Sequence, residues 1–214
     1  MPYSMEFVKP AEIEAQSFAI IEAELRRRNV SCPANQMPIL QRVIHTSADF
    51  DYIQNLTFSD GAVEKALDAL RNGADIITDT NMALSGINKK SLHALGGEAH
   101  CFMSDPDVAA EAKRRGITRA MVSMEKAARL SSDNLIFAIG NAPTALIQLE
   151  QLIREHQLAP KLIIGVPVGF VNVVEAKELI LQSGVPCIVA RGNKGGSNIA
   201  AAICNALLYQ LYRA

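Results

Sequence analysis

Arg42 and His45 stand three residues apart in the segment RVIHTSADFDY, which runs from Arg42 to Tyr52 and also carries Thr46, Ser47, Asp49 and Asp51. On a helix, positions three apart share a face, so one surface would present an imidazole and a guanidinium together. An imidazole titrates near neutral pH and is the commonest general acid or base, and a guanidinium holds carboxylates in a two-pronged grip. The same residues also describe an ordinary helix end, where a histidine in the last turn complements the helix dipole and the polar residues after it finish the turn. Spacing alone leaves both readings standing.

The other reactive side chains exclude several chemistries. The four histidines, at 45, 93, 100 and 156, have no metal-ligand spacing with one another or with cysteine, so no metal site is expected. His93 and His156 fall on polar helical stretches and belong in solvent, while His100 falls inside a strand and belongs among packed side chains. The four cysteines, at 32, 101, 187 and 204, form no Cys-x-x-Cys pair and read as buried free thiols. No G-x-S-x-G nucleophile elbow occurs. The loop RGNKGGSN (191–198) has Lys194 ahead of its glycine pair and so fails the phosphate-loop pattern, and GVPVGF (165–170) is not a dinucleotide fingerprint. RGNKGGSN still offers Arg191, Lys194 and several backbone N–H groups beside a helix start, which suits carboxylates or other anions.

These groups need elements to position them. KPAEIEAQSFAIIEAELRRRN (9–29) reads as a helix, with Pro10 in its first turn and Ile13, Phe18, Ile21 and Leu25 as its apolar positions. CPANQMPILQRVIHTSA (32–48) reads as a second, with Pro33 near its start. SDGAVEKALDALRNG (59–73) reads as a third, with Ser59 as N-cap and Gly73 as its stop. Five short apolar runs follow: ADIITDT, EAHCFM, NLIFAIG, KLIIGV and PCIVARG. Helical stretches separate them, including DPDVAAEAKRRG, APTALIQLEQLIREH, VVEAKELILQSG and SNIAAAICNALLYQLYRA. Strands that are apolar throughout and alternate with helices predict a parallel sheet covered on both faces. The expected fold is α/β, a doubly wound, mainly parallel five-stranded sheet in three α/β/α layers. We expect a single domain, with residues 1–72 as a helical lead-in and 73–214 as the sheet core.

In such a sheet the ligand lies beyond the carboxyl ends of the strands. Those ends are TDTNMALSG (78–86), GNAPT (140–144), GVPVGF and RGNKGGSN, all rich in Gly, Pro, Asn or small hydroxyls. Four such loops on one edge predict a shared ligand cleft. Asp79 and Thr80 close a strand and are candidates to face it, with capping of the next helix as the alternative for Asp79. Asn141 and Thr144 flank Pro143 and are candidates to donate to a carboxylate, with an N-cap role as the alternative.

Composition narrows the partners. The chain has 214 residues, 49% hydrophobic and 20% charged, which suits one soluble α/β domain with a sizeable core. A net charge of -1 leaves no global basic field, so nucleic acid is not an expected partner. MPYSMEFVKP lacks the pattern of a secretory signal, and no apolar run reaches the roughly 18 residues of a bilayer span, so no membrane association and a cytoplasmic location are expected.

Taken together, RVIHTSADFDY, TDTNMALSGINK, GNAPTAL, GVPVGFV and RGNKGGSNIAAAICNALL resemble the precorrin-8X methylmutase family of corrin biosynthesis. The resemblance runs from EAQSFAII near the start to the last helix, in five blocks in the same order. It implies an isomerase that moves a methyl group from C11 to C12 of a precorrin-8 macrocycle to give a cobyrinic acid. It implies His45 as proton donor and acceptor, with Arg42 and Ser17 as substrate contacts. Such a reaction is intramolecular and needs no nicotinamide, flavin or methyl donor. The substrate it implies is a tetrapyrrole, a large flat ring fringed with acetate and propionate groups. Arg42, Arg191 and Lys194 are suited to that rim, with Asp79, Thr80, Asn141 and Thr144 completing the expected site. HTSADFDY and TDTNMALSGINK look more like members that act on the cobalt-bearing ring, in which case cobalt belongs to the substrate. The alternative is the metal-free ring. The resemblance also implies a homodimer with sites near the subunit interface. The apolar last helix suits close packing, either within the sheet layers or against another subunit.

Two rival functions stay in view. A corrinoid carrier without catalysis would keep the cleft and the cations but would not need His45; product formation separates it from an enzyme. A dinucleotide-dependent oxidoreductase is suggested by fold alone and lacks the glycine fingerprint.

Overall fold

The apolar runs become one sheet because each is flanked by helices and buried on both faces, where every backbone N–H and C=O must find a partner. The structure, a computed structural model, describes residues 9–130 and 132–213. In chain order the elements are α1 (Pro10–Arg27), α2 (Met37–Ser47), α3 (Tyr52–Asn55), β1 (Leu56–Phe58), α4 (Ala62–Arg71), β2 (Asp75–Thr78), α5 (Asn81–Gly86), α6 (Lys89–Ala94), β3 (Ala99–His100), α7 (Pro106–Arg115), α8 (Arg119–Ala127), β4 (Leu135–Ile139), α9 (Pro143–Arg154), β5 (Leu162–Gly165), α10 (Val173–Gln182), β6 (Cys187–Ala190) and α11 (Ser197–Tyr209).

The strands form one sheet in the order β1-β6-β5-β4-β2-β3. All five expected strands are present and pair in parallel, from β3 across to β6. The sheet has a sixth strand, β1, which lies in the stretch expected to be helical throughout. It runs antiparallel to β6, with Leu56 opposite Ala190 and Phe58 opposite Ile188. Ser59 fixes that register from just outside the strand: its N–H donates to the Cys187 carbonyl, and its hydroxyl accepts from the Cys187 N–H at 2.8 Å. Ser59 is therefore a strand tie rather than the N-cap of α4. That place belongs to Gly61, whose φ of +66° favours glycine.

Alternate residues of each strand feed two cores. Ile76, Ile136, Ala138, Ile164 and Ile188 pack with α1, α2, α4 and α11 on one face. Ile77, Phe137, Ile139, Ile163 and Val189 pack with α8, α9 and α10 on the other. This period of two is the pleat itself, and it gives the expected three layers. Helix α11 lies almost wholly inside the first core, from Ile199 to Leu208. Its apolar surface packs within the chain.

Two helix boundaries differ from expectation. α2 starts at Met37, not near Pro33, because a proline at 38 has no N–H to bond back to residue 34; that proline fits only in the first turn. On α1, Ile21 and Leu25 are buried, but Ile13 faces solvent at 52% exposure.

Candidate active site

His45 lies in the last turn of α2. Ile39, Leu40, Val43 and Ile44 bury one side of that helix, which packs mainly on α11. The other side leaves Arg42 and His45 half-buried beneath α1. The His45 imidazole stacks on the Phe18 ring, with centroids 5.0 Å apart and planes 20° from parallel. The Arg42 guanidinium covers Phe18 at 4.7 Å and Tyr209, at the end of α11, at 5.3 Å. It also donates to Glu14 at 2.6 Å, and Glu14 accepts from Arg213 as well. Arg42 first, and then Arg213, hold the Glu14 carboxyl below the usual carboxylate range. Ser17 is half-buried on α1, three residues from Glu14 and so on the same helical side.

The segment after His45 finishes the helix. Ala48 adopts the left-handed conformation at φ 53° and donates to the Ile44 carbonyl at 2.7 Å. The Ser47 hydroxyl donates to the Val43 carbonyl and accepts from the Asp49 N–H, and Asp49 accepts from the Asp51 N–H. Both aspartates then receive the ammonium of Lys194, at 2.6 and 2.5 Å. Lys194 first, and then the Asp51 N–H, hold the Asp49 carboxyl low, and Asp49 and Asp51 in turn push the Lys194 ammonium up. This tie brings the segment that follows α2 to the loop that follows β6.

That loop is held from several sides. Arg191 donates both arms of its guanidinium to Glu178 on α10. Asn193 exchanges hydrogen bonds with Gly169, and the Gly196 N–H donates to the Val166 carbonyl. Gly195 has no alternative at its position: a Cβ there would come within 2.1 Å of the Val166 oxygen. Lys177, 0% exposed, reaches from α10 to the carbonyls of Gly192 and Lys194 at 2.6 and 2.9 Å. Burial pulls its ammonium down to about 8.

The candidates at the ends of β2 and β4 are braced internally. Asp79 is fully buried, and its carboxylate accepts from the N–H groups of Gly140, Asn141 and Ala142 at 2.9, 2.8 and 2.6 Å. Burial raises its carboxyl, opposed by those N–H groups. The structure therefore places Asp79 as a loop brace, neither facing a cleft nor capping α5. Thr80 caps α5 by accepting from the Ala83 N–H, and it shares a hydrogen bond of 2.8 Å with the Ser197 hydroxyl. The Thr144 hydroxyl pairs with Thr118 at 2.9 Å. Asn141 is exposed, and neither it nor Thr144 caps α9, whose N-cap is Ala142. Of the residues expected at the site, Ser17, Arg42 and His45 come together, Lys194 joins them through Asp49 and Asp51, and Asp79, Thr80, Asn141 and Thr144 form a separate group.

Sequence reasoning missed Phe18 as a stacking partner, together with Glu14, Tyr209, Arg213 and Lys177. Only Lys177 left a local signal, as the one charge in the buried stripe Val173, Ala176, Lys177, Ile180. His93 and His156 are exposed, and His100 stacks on Phe102 at 6.0 Å. The cysteines are free thiols; Cys187 and Cys204 are buried, and burial pushes Cys204 up to about 12. Among the described residues no cluster of His, Cys, Asp or Glu is placed to hold a metal ion, and no helix is long and apolar enough to cross a membrane. A depression of about 660 Å³ lies at the opposite edge, beside Asn134, Pro160 and Pro186 ahead of β4, β5 and β6. The carboxyl edge instead exposes apolar side chains: Met82 on α5 at 70%, and Val168 at 48%, Phe170 at 88% and Val171 at 78% on the loop after β5.

An open, mainly parallel α/β sheet with a stacked imidazole, cations and exposed apolar loops toward its carboxyl edge defines an α/β enzyme of small-molecule chemistry. A model of the precorrin-8X methylmutase family matches residues 12–210. The chain is 47% identical to the cobalt-precorrin-8 methylmutase of Salmonella typhimurium, over 96% of this chain and 98% of that protein. It is 39% identical to the precorrin-8X methylmutase of Pseudomonas aeruginosa, over 91% of this chain and 93% of that one. It superposes on the solved precorrin-8X methylmutase from Thermus thermophilus with a TM-score of 0.82 at 36% identity, covering 92% of this chain and 96% of the other. The chain belongs to the precorrin-8X methylmutase family, isomerases of cobalamin biosynthesis.

Proposed function

We propose that this chain moves a methyl group from C11 to C12 of a precorrin-8 ring, with His45 as proton donor and acceptor. The observation that carries this reading is the half-buried His45 imidazole, fixed flat on Phe18 beside Arg42 and one turn from the Lys194 tie. Protonation of the macrocycle by His45 redistributes its electrons and lowers the barrier to migration. Return of the proton to His45 sets the conjugation of the product. One positioned acid/base supplies about 10²–10⁴ in rate, and the rest comes from holding the ring in a migration-ready shape.

In this reading the ring lies against the exposed apolar loop residues, and its acetates and propionates meet Ser17, Arg42, Arg191 and Lys194. Each cation already has a carboxylate partner in the chain, so a substrate carboxylate exchanges with Glu14, Glu178 or the Asp49–Asp51 pair. Asp79, Thr80, Asn141 and Thr144 act behind this surface, by shaping its loops. The reaction is redox-neutral and intramolecular, so no nicotinamide, flavin or methyl donor takes part. Cobalt, where present, is carried by the substrate. The 47% and 43% identities to proteins named cobalt-precorrin-8 methylmutase, against 39% to one named precorrin-8X methylmutase, favour the cobalt-bearing ring. We further read the protein as a cytoplasmic homodimer, in which a second copy covers apolar surface such as Ile20.

The test is incubation of the protein with cobalt-bearing and metal-free precorrin-8 in parallel, followed by visible absorbance. Conversion of the cobalt ring, faster than the metal-free one, is expected. Faster conversion of the metal-free ring would reverse the substrate assignment, and binding of both without product would make the chain a carrier.

A further inference from the structure

We propose that Lys177 is a positioning residue for this site, holding the loop after β6 so that Lys194 reaches Asp49 and Asp51 beside His45. Among the described residues Lys177 is the only fully buried lysine, and no carboxylate pairs with it. Burying an ammonium without a carboxylate partner is costly because it loses its hydration, so a lysine used only to fill space would be a poor choice there. Its two partners are both backbone carbonyls of one loop, Gly192 and Lys194, at 2.6 and 2.9 Å. Charge-assisted bonds of this kind are short and directional, and two of them fix a loop against a helix.

What the loop does next is on the same residue. Lys194 offers its carbonyl inward to Lys177 and its ammonium outward to Asp49 and Asp51. The Asp49 N–H donates to the Ser47 hydroxyl, which in turn donates to the Val43 carbonyl in the last turn of α2, and His45 lies in that turn. The route from the floor of α10 to the helix turn that carries His45 is therefore continuous: Lys177, the loop, Lys194, Asp49, Ser47. Lys177 touches no substrate in this scheme and acts through Lys194. The kinetic part rests on the methyl-shift reading above; the spectroscopic part does not.

The experiment compares Lys177→Met, Lys194→Met and the double variant with the wild type. Amide hydrogen exchange over residues 191–196 and the side-chain NMR signals of His45 are read first, since neither needs a substrate. Lys177→Met is expected to speed exchange in that loop at least about 10-fold and to shift the His45 signals in the same direction as Lys194→Met does. With cobalt-bearing precorrin-8, Lys177→Met is expected to lose about 10-fold in kcat with little change in KM, and Lys194→Met about 10-fold in kcat together with the rise in KM that loss of a rim contact brings. The double variant is expected to lose no more than the worse single one, whereas independent roles multiply to about 100-fold. Unchanged loop exchange and unchanged His45 signals in Lys177→Met, or multiplicative losses in the double variant, would overturn the inference. Should Lys177→Met fail to fold, Lys194→Met carries the decision: its side chain is exposed, and unmoved His45 signals there break the route. A wild type inactive on both rings counts against the methyl-shift reading alone.

Discussion

Asp79 and Asp49 both follow the end of a regular element toward the carboxyl edge, yet the chain treats them differently. Asp79 is fully buried under three backbone N–H groups. Asp49 is half-buried and holds an exposed ammonium. The β2–β4 side of the edge is knit by backbone donors to a buried carboxylate and by hydroxyl pairs, whereas the α2–β6 side is knit by ionic side chains in contact with water. Exposed ion pairs contribute roughly 0–1 kcal/mol and exchange partners easily; a buried carboxylate deprived of its donors costs more. The first side therefore sets the shape of the edge. The second has groups that a charged ring can engage without unfolding anything.

The contrast can be broken or sharpened by experiment. His45→Ala should lower turnover by about 10²–10⁴ while lowering the free energy of unfolding by no more than about 1 kcal/mol. Near-normal turnover would remove His45 from the chemistry. Asp79→Asn places an amide NH₂ among three N–H donors, so a loss of about 2–3 kcal/mol in urea unfolding is expected, with KM of the folded fraction unchanged. An intact stability with raised KM would instead move Asp79 to the ligand surface.

Lys177 gives a pH signature. Its folded value near 8 lies below the ordinary 10.5, so between those values the unfolded chain binds more protons and stability rises with pH. The free-energy gap between wild type and Lys177→Met should thus shift toward wild type by roughly 1–3 kcal/mol across that window, measured by urea titration. A flat gap would mean that the ammonium is solvated. The smallest effect belongs to Arg191→Ala. Its pair with Glu178 is exposed, so stability should change by less than about 1 kcal/mol, while KM should rise about 3–10-fold as one rim contact is lost. An unchanged KM would leave Arg191 as surface trim.

Much of the fold was legible because buried parallel strands are apolar throughout and glycines mark their ends. Strand β1 was not, since three residues between two helical patterns carry no period, and only its pairing with β6 defines it. At the site, His45 and Arg42 were legible from local spacing on one helix and from the family's motifs. Phe18 had read as a core position on α1, and only the packing of α1 on α2 turned it into the imidazole's platform. Asp79 was misjudged because its sequence neighbourhood, a strand end before a helix, fits a ligand contact, a cap and a brace equally well.

The sequence by itself determined which segments form the five parallel strands, which edge gathers their loops, and that the chain belongs to a methyl-shifting family. These follow from hydrophobic period, glycine placement and motif order, all local along the chain. Only the tertiary structure decided which polar groups are braces and which stay in contact with solvent. Asp79 meets its donors 61 to 63 residues away, Thr80 meets Ser197 at a separation of 117, and Lys194 meets Asp49 at 145. Spacing along one element tells which side chains share a face; the partner that satisfies or frees a charge arrives from a different strand, by the winding of the sheet.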